Sequence, residues 1–156
     1  MQKITPFLWF DKEAKEAAKF YTSLFKGSKI KNAEAFDDTP SGTVDIIPVE
    51  LMGVEFILMN AGPQFKFTEA ISFVIDCKDQ KEVDYYWEKL TADGGEESMC
   101  GWLKDKFGLS WQVVPRQLNE MLGDRDKEKA GLAMQAMLKM KKIDIAGLKK
   151  AFEGLK

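Results

Sequence analysis

The chain has 156 residues, of which 45% are hydrophobic and 31% charged, and its formal net charge is -2. That length suits one ordinary domain or two small modules sharing a core, and charge scattered along the chain excludes an electrostatic nucleic-acid binder, which concentrates basic residues on one face. The sequence contains no histidine, which removes Ser-His and Cys-His nucleophile pairs and most zinc, copper and non-haem iron sites, leaving carboxylates, Lys, Tyr, Cys and backbone dipoles to carry any chemistry.

Ile4 to Phe10 is a short apolar run of strand length, and Asp11 is placed to cap a helix after it. Ala14, Ala17, Ala18, Tyr21, Leu24 and Phe25 then recur at helical spacing, with Gly27 ending the stripe. Lys29 to Phe36 and Thr43 to Met52 are expected as strands, separated by the turn residues Asp37 to Gly42. Val54 to Asn60 is a further strand, joined to its predecessor through Gly53. Gly62 to Phe67 forms a link.

The order then repeats. Ala70 to Cys77 is expected as a strand, and Asp79 caps a helix with Glu82 three residues on, in the manner of a capping box. Val83, Tyr86, Trp87 and Leu90 form its apolar stripe, and Gly94-Gly95 stops it. Short strands fit Glu97 to Cys100 and Trp102 to Asp105, with Asp105 expected as a solvated turn residue. The last strand is Leu109 to Val114. Gly53-Val54-Glu55-Phe56-Ile57-Leu58-Met59 aligns without a gap on Gly108-Leu109-Ser110-Trp111-Gln112-Val113-Val114. A repeat of that length argues for two modules of strand, helix and three strands.

After Pro115 the pattern is helical. Ala130, Ala133, Met134, Met137 and Leu138 share one face, and Asp144 caps a last helix carrying Ile145, Leu148 and Phe152. Ile143 and Leu148 suit a hydrophobic staple across that cap. Core packing or a dimer contact is the expected role of the Met-rich stretch from Met134 to Met140, with a ligand surface as the alternative. No apolar run approaches the roughly 18 residues of a membrane span, and Met1 leads directly into a mixed strand, so a cytoplasmic protein without a membrane partner is expected. Cys77 and Cys100 are too far apart for a zinc knuckle and are expected as reduced, structural thiols.

A duplicated βαβββ unit whose first helix carries Ala17-Ala18-Lys19-Phe20-Tyr21 resembles the vicinal-oxygen-chelate superfamily, that of glyoxalase and bleomycin-resistance proteins. More narrowly it resembles the PhnB-like group labelled "3-demethylubiquinone-9 3-methyltransferase". The residues carrying the likeness include Ile4 to Asp11, Asn60 to Phe65, Ala70 to Phe73, Tyr85-Tyr86-Trp87, the hairpin Gly101 to Pro115, and Met134 to Met140. The resemblance spans the whole chain, tail included. It implies an α+β fold in which two βαβββ modules form a curved mixed sheet around a cleft, with C-terminal helices. The organisation expected is one glyoxalase-like domain over 1–156, with modules near 1–61 and 69–115 and a helical extension over 116–156. A homodimer is the implied assembly.

Many members of that superfamily hold a divalent metal with one His or carboxylate from the first and last strands of each module. The last-strand ligand falls four residues after the hairpin glycine, which here gives Ile57 and Gln112. Ile57 cannot ligate, and Gln112 offers only a neutral amide oxygen. The first-strand candidates, Ile4 or Pro6 and Ala70 or Ser72, include no His, Asp or Glu. The methyltransferase label implies S-adenosylmethionine, yet no Gly-rich loop follows a strand. No metal and no cofactor are expected.

Candidate ligand-binding residues are Gln112 and Ser110 on one strand face, Ile57 in the matching strand, Trp9, Trp102, Phe65 and Phe67 as aromatic walls, and Cys100 as a pocket thiol. Each also has a structural alternative. Gln112 could be satisfied by backbone, Ser110 and Glu55 could stand in water at the hairpin mouth, and the aromatics could pack in the core or on a sheet edge. Glu55 is the one candidate base. Two functions follow: a metal-independent binder of an aromatic or apolar small molecule, or an enzyme of the superfamily, lyase, isomerase or transferase-like, with a carboxylate base or an unrecognised divalent metal. A third reading gives the function to the C-terminal helices as an interaction module.

Overall fold

The structure is a computed structural model and describes residues 2–155. The class is α+β, with two mixed sheets and five α-helices among the described residues. The chain forms two compact units, residues 1–67 and residues 68–156.

The first unit runs β1 (Phe7–Phe10), α1 (Ala14–Leu24), β2 (Lys29–Ile30), β3 (Glu34–Thr39), β4 (Gly42–Leu51) and β5 (Val54–Asn60). Its sheet has the order β1-β5-β4-β2, with β3 also pairing β4. β1 lies parallel to β5 with Phe7 opposite Ile57, while β4 and β5 form an antiparallel hairpin with Pro48 opposite Ile57. Period-two alternation sends Leu8, Phe10, Val49, Phe56 and Leu58 to one face, where all are buried. Helix α1 contributes Ala17, Ala18, Tyr21 and Leu24, also buried, to this unit's core. Each large side chain sealed in this way stabilises the unit by about 1.5–3 kcal/mol.

Asp11 does not cap α1. The helix starts at Ala14, and its N–H donates to Asn60 Oδ1 on β5 at 2.7 Å. Asp11 serves the chain through its carbonyl, which accepts from the Gly62 N–H at 3.1 Å. The strand expected over 29–36 is split between β2 and β3: Lys31 still donates to Pro48 O at 2.8 Å, but Pro48 has no N–H to return the bond, and Asn32 and Ala33 lie outside both strands. The turn expected over 37–42 narrows to Pro40-Ser41, with a register shift between Phe36 and Thr39 where Asp38 takes a φ of 58°.

The second unit runs β6 (Ser72–Cys77), α2 (Gln80–Thr91), β7 (Glu96–Glu97), β8 (Trp102–Lys104) and β9 (Ser110–Pro115), then α3 (Arg116–Leu122), α4 (Lys127–Met137) and α5 (Ile145–Phe152). Its sheet order is β6-β9-β8-β7, with β6 parallel to β9 and β8 antiparallel to it. This repeats the β1-β5-β4 arrangement, so the repeat seen in sequence is a repeat of topology. Asp79 caps α2 as expected, accepting from the Glu82 N–H at 2.9 Å, while Glu82 Oε2 accepts from the Lys78 N–H at 2.9 Å. Ile75, Cys77, Leu103, Trp111 and Val113 form the buried sheet face, and Val83, Tyr86, Trp87 and Leu90 are the buried residues of α2. Burial pushes the Cys77 thiol up to about 12, as suits an inert core residue.

The expected strand over 97–100 shortens to Glu96–Glu97, because Cys100 takes a left-handed φ of 60° in a turn. The helical tail holds that turn. The Cys100 N–H donates to Met140 O at 2.7 Å and the Gly101 N–H to Lys141 O at 2.8 Å. Only glycine fits at 101: φ is 81°, and a Cβ would stand 2.8 Å from Val113 O and 3.2 Å from Ile143 Cγ1. Val114, Leu118, Met121, Ala133, Ile143 and Leu148 form a buried cluster of the tail, with Met137 and Met140 packed against it. Asp144 caps α5 by accepting from the Ala146 N–H. Gln80 at the start of α2 ties the tail down twice, donating to Ile143 O at 3.0 Å and accepting from the Ile145 N–H at 2.9 Å.

Candidate functional site

In the second unit the face opposite the core carries Ser110 and Gln112 from β9. Register places Ser72 and Val74 of β6 on one side of them, and Lys104 and Trp102 of β8 on the other. Gln112 is half-buried, between Val74, which is 59% exposed, and Trp102, which is half-buried. Its Nε2 donates to Ser72 Oγ at 2.9 Å, so the amide is held by a side chain on the neighbouring strand and not by backbone. Ser110 is buried, not at a wet hairpin mouth, and among the described residues its Oγ has no hydrogen-bond partner. Lys104 is paired with Glu69 at 2.8 Å and Glu96 at 3.6 Å, and the Glu69 hydrogen bond first of all raises its pKa.

In the first unit, the face opposite the core carries Phe7, Trp9, Ile57 and Met59, with Trp9 and Met59 directly opposite in register. Trp9 donates through Nε1 to Gly62 O at 2.8 Å, and Phe65 packs edge-on against its ring at 4.9 Å between centroids. Phe65 is 64% exposed. Phe67 goes elsewhere, packing edge-on against Phe10 of the core face at 5.1 Å. The link after Gly62 is thereby pinned to the edge strand β1. Ile57 is half-buried between Phe7 and Pro48 and offers no polar atom.

Glu55 stands near the hairpin end of β5 and is ion-paired with Lys31. The Lys31 hydrogen bond, with its charge, holds the Glu55 carboxyl below the ordinary glutamate range, which makes it a weaker proton acceptor. Cys100 is committed by its backbone to the tail.

Asp105 is not solvated. It is 2% exposed, and its carboxylate accepts from the Phe107 N–H at 2.9 Å, the Leu109 N–H at 3.1 Å and Trp111 Nε1 at 2.8 Å. It therefore builds the turn that delivers β9, and so Gln112, to the sheet. The alternation over 109–114 carried no sign of this, because two of the partners are main-chain N–H groups and the third, Trp111 Nε1, keeps the same spacing in the strand whether or not a carboxylate meets it. Ser72 as the partner of Gln112 was also missed, although the parallel pairing of first and last strands puts the two on one face.

The family model described as 3-demethylubiquinone-9 3-methyltransferase matches residues 2–114. The chain belongs to that family. A putative 3-demethylubiquinone-9 3-methyltransferase, PhnB protein, from Bacillus cereus is 34% identical, covering 73% of this chain and 99% of that one, with a TM-score of 0.65. The fosfomycin resistance protein FosX from Listeria monocytogenes is 16% identical over 79% of this chain and 98% of its own, with a TM-score of 0.58. A glyoxalase family protein from Bacillus cereus is 10% identical over 74% of this chain and 93% of its own, with a TM-score of 0.53. These last two share the fold. No curated protein matches the chain. The family match ends at 114, at the close of β9, so α3 to α5 lie beyond it although the resemblance was expected to include them.

One structure of FosX is described as complexed with Mn(II). Among the described residues no three His, Cys, Asp or Glu side chains come close enough together to hold an ion. The last-strand positions are an aliphatic side chain at Ile57 and an amide at Gln112 already bonded to Ser72. The residues present do not fit a divalent cation, which draws on anionic or imidazole ligands.

Proposed function

We propose that this member of the 3-demethylubiquinone-9 3-methyltransferase family is a metal-independent binding protein for a small aromatic or apolar organic molecule, taken up at the half-buried Gln112 on its second sheet. The observation that carries the reading is Gln112. At the strand position where metal-using relatives of the superfamily keep a carboxylate, this chain has a neutral amide, fixed by Ser72 and flanked by Trp102 and exposed Val74. A few placed polar groups within apolar walls is the usual composition of a small-molecule site. Catalysis by Glu55 is disfavoured, because Lys31 already stabilises its charged form. The homodimer implied by the resemblance belongs to the same proposal, and sedimentation velocity checks it.

A thermal-shift screen in excess EDTA, using small aromatic carbonyl compounds, tests the reading. A ligand at about 100 times its Kd stabilises the folded state by about 2.7 kcal/mol, enough to move the transition by several degrees. Shifts seen in EDTA and weakened by Gln112→Ala support the proposal. Shifts seen only after Mn²⁺ is restored would overturn it.

A further inference from the structure

We infer that Ser72, Gln112 and Ser110 form a hydrogen-bonding subsite for a neutral ring that carries a carbonyl or carboxamide beside a hydroxyl. The inference rests on the proposed use of this face for ligand binding and gives that ligand its chemistry. Among the described residues, Ser72 and Gln112 make no side-chain hydrogen bond to each other or elsewhere beyond Nε2 to Oγ. Ser72 spends an acceptor position in that bond and keeps its hydroxyl proton to donate. Gln112 spends one of its two amide protons and keeps the other to donate, with Oε1 to accept. The pair therefore presents the Ser72 hydroxyl and the remaining Gln112 amide proton as donors and Oε1 as an acceptor, which suits a group that accepts through a carbonyl and donates through a hydroxyl.

Ser110 supplies the second, independent observation. The residue is 1% exposed and among the described residues its Oγ has no partner; it lies directly opposite Ser72 in register and two residues from Gln112 on the same face. A buried hydroxyl left unpaired costs about 1–3 kcal/mol, and native proteins keep few of them. A ligand oxygen that reaches it, with some shift of the side chains around it, recovers that cost.

The surrounding charge selects against an anion. Lys104, opposite Ser110, already faces Glu69 at 2.8 Å and Glu96 at 3.6 Å, so two carboxylates balance one ammonium. Asp76, further along β6 on the same face, is paired with Arg116 at 2.7 Å. Neither cation is left over for a carboxylate or phosphate, while Trp102 and Val74 on either side of Gln112 offer apolar surface to a ring.

The test titrates salicylamide, benzoate and toluene into the full-length protein in EDTA, following the Gln112 side-chain amide by ¹H–¹⁵N NMR together with Trp fluorescence. Salicylamide is expected to move the Gln112 amide signals and to bind at least about fivefold tighter than either competitor. Ser110→Ala and Ser72→Ala are each expected to weaken salicylamide about five- to tenfold and to leave toluene unchanged. Ser110→Ala removes an unpaired buried hydroxyl, so its melting temperature should not fall. The subsite alone is overturned if salicylamide binds in EDTA but ignores both serine variants, if benzoate binds as tightly, or if millimolar salicylamide leaves the Gln112 signals in place. Binding that appears only with Mn²⁺ overturns the metal-free reading of the face itself.

Discussion

The two closing hairpins of this chain turn on glycines with nearly the same backbone, φ 84° at Gly53 and 85° at Gly108, yet their side chains have separate uses. Three residues before the glycine, the first hairpin has Glu50, a surface carboxylate near Lys29 and Lys31, whereas the second has Asp105, buried under its own turn. Four residues after it stand Ile57 and Gln112, and seven after it Asn60 and Pro115. Asn60 caps α1 from across the sheet, while Pro115 leads β9 into α3 and leaves α2 to be capped by Asp79. Backbone hydrogen bonding fixes the module, and each side-chain position remains free to be reassigned.

The largest expected contrast is between the two carboxylates. Asp105→Ala strands buried N–H donors, including Trp111 Nε1, and is expected to cost about 3 kcal/mol or more. Glu50→Ala removes only ion pairs with partly exposed lysines and is expected to cost less than about 1 kcal/mol. Urea denaturation measures both, and similar costs would break the comparison.

The helix caps come next. Asn60→Ala and Asp79→Ala are each expected to cost about 1 kcal/mol. Hydrogen exchange should localise the first at the Ala14 amide and the second at Glu82. Loss of protection at Ala14 after Asp11→Ala, with none after Asn60→Ala, would restore the local cap expected from sequence.

Acid gives the smallest and most distributed effect. Lys15 and Asn60 hold Asp45 low in the first unit, and Lys142 and Gln80 hold Asp84 low in the second. A folded-state pKa below the ordinary value of 3.8 contributes stability above that value and loses it as pH falls through the folded one. Stability should therefore be level from about pH 7 to about pH 5 and fall below about pH 4. Asp45→Asn and Asp84→Asn should each flatten the acid limb, and an unchanged limb in either variant would remove that pair from the account.

Most of the fold was legible because its signals are local. Helical stripes such as Val83, Tyr86, Trp87 and Leu90, and the caps at Asp79 and Asp144, depend on residues within a turn of one another. The gap-free match through Gly53 and Gly108 foretold two modules of one topology, which the structure forms as two sheets where a single curved one was expected. What escaped was long-range pairing: Asn60 reaching α1, Ser72 holding Gln112, and Gln80 gripping the tail. A short polar side chain has the same local pattern whether its partner is water or a distant strand. Asp105 misled for that reason, since an aspartate before Lys-Phe-Gly looks like any solvated turn until its burial is known.

The central claim is that the Gln112 position is a neutral anchor and not a relic of a metal site. Elemental analysis of the purified protein, after expression with Mn²⁺, Fe²⁺, Ni²⁺ and Zn²⁺ and mild chelation, tests it most directly. Far less than about one metal ion per chain is predicted, because no anionic or imidazole ligand set converges among the described residues. About one tightly held ion per chain, lost on Gln112→Ala, would contradict it.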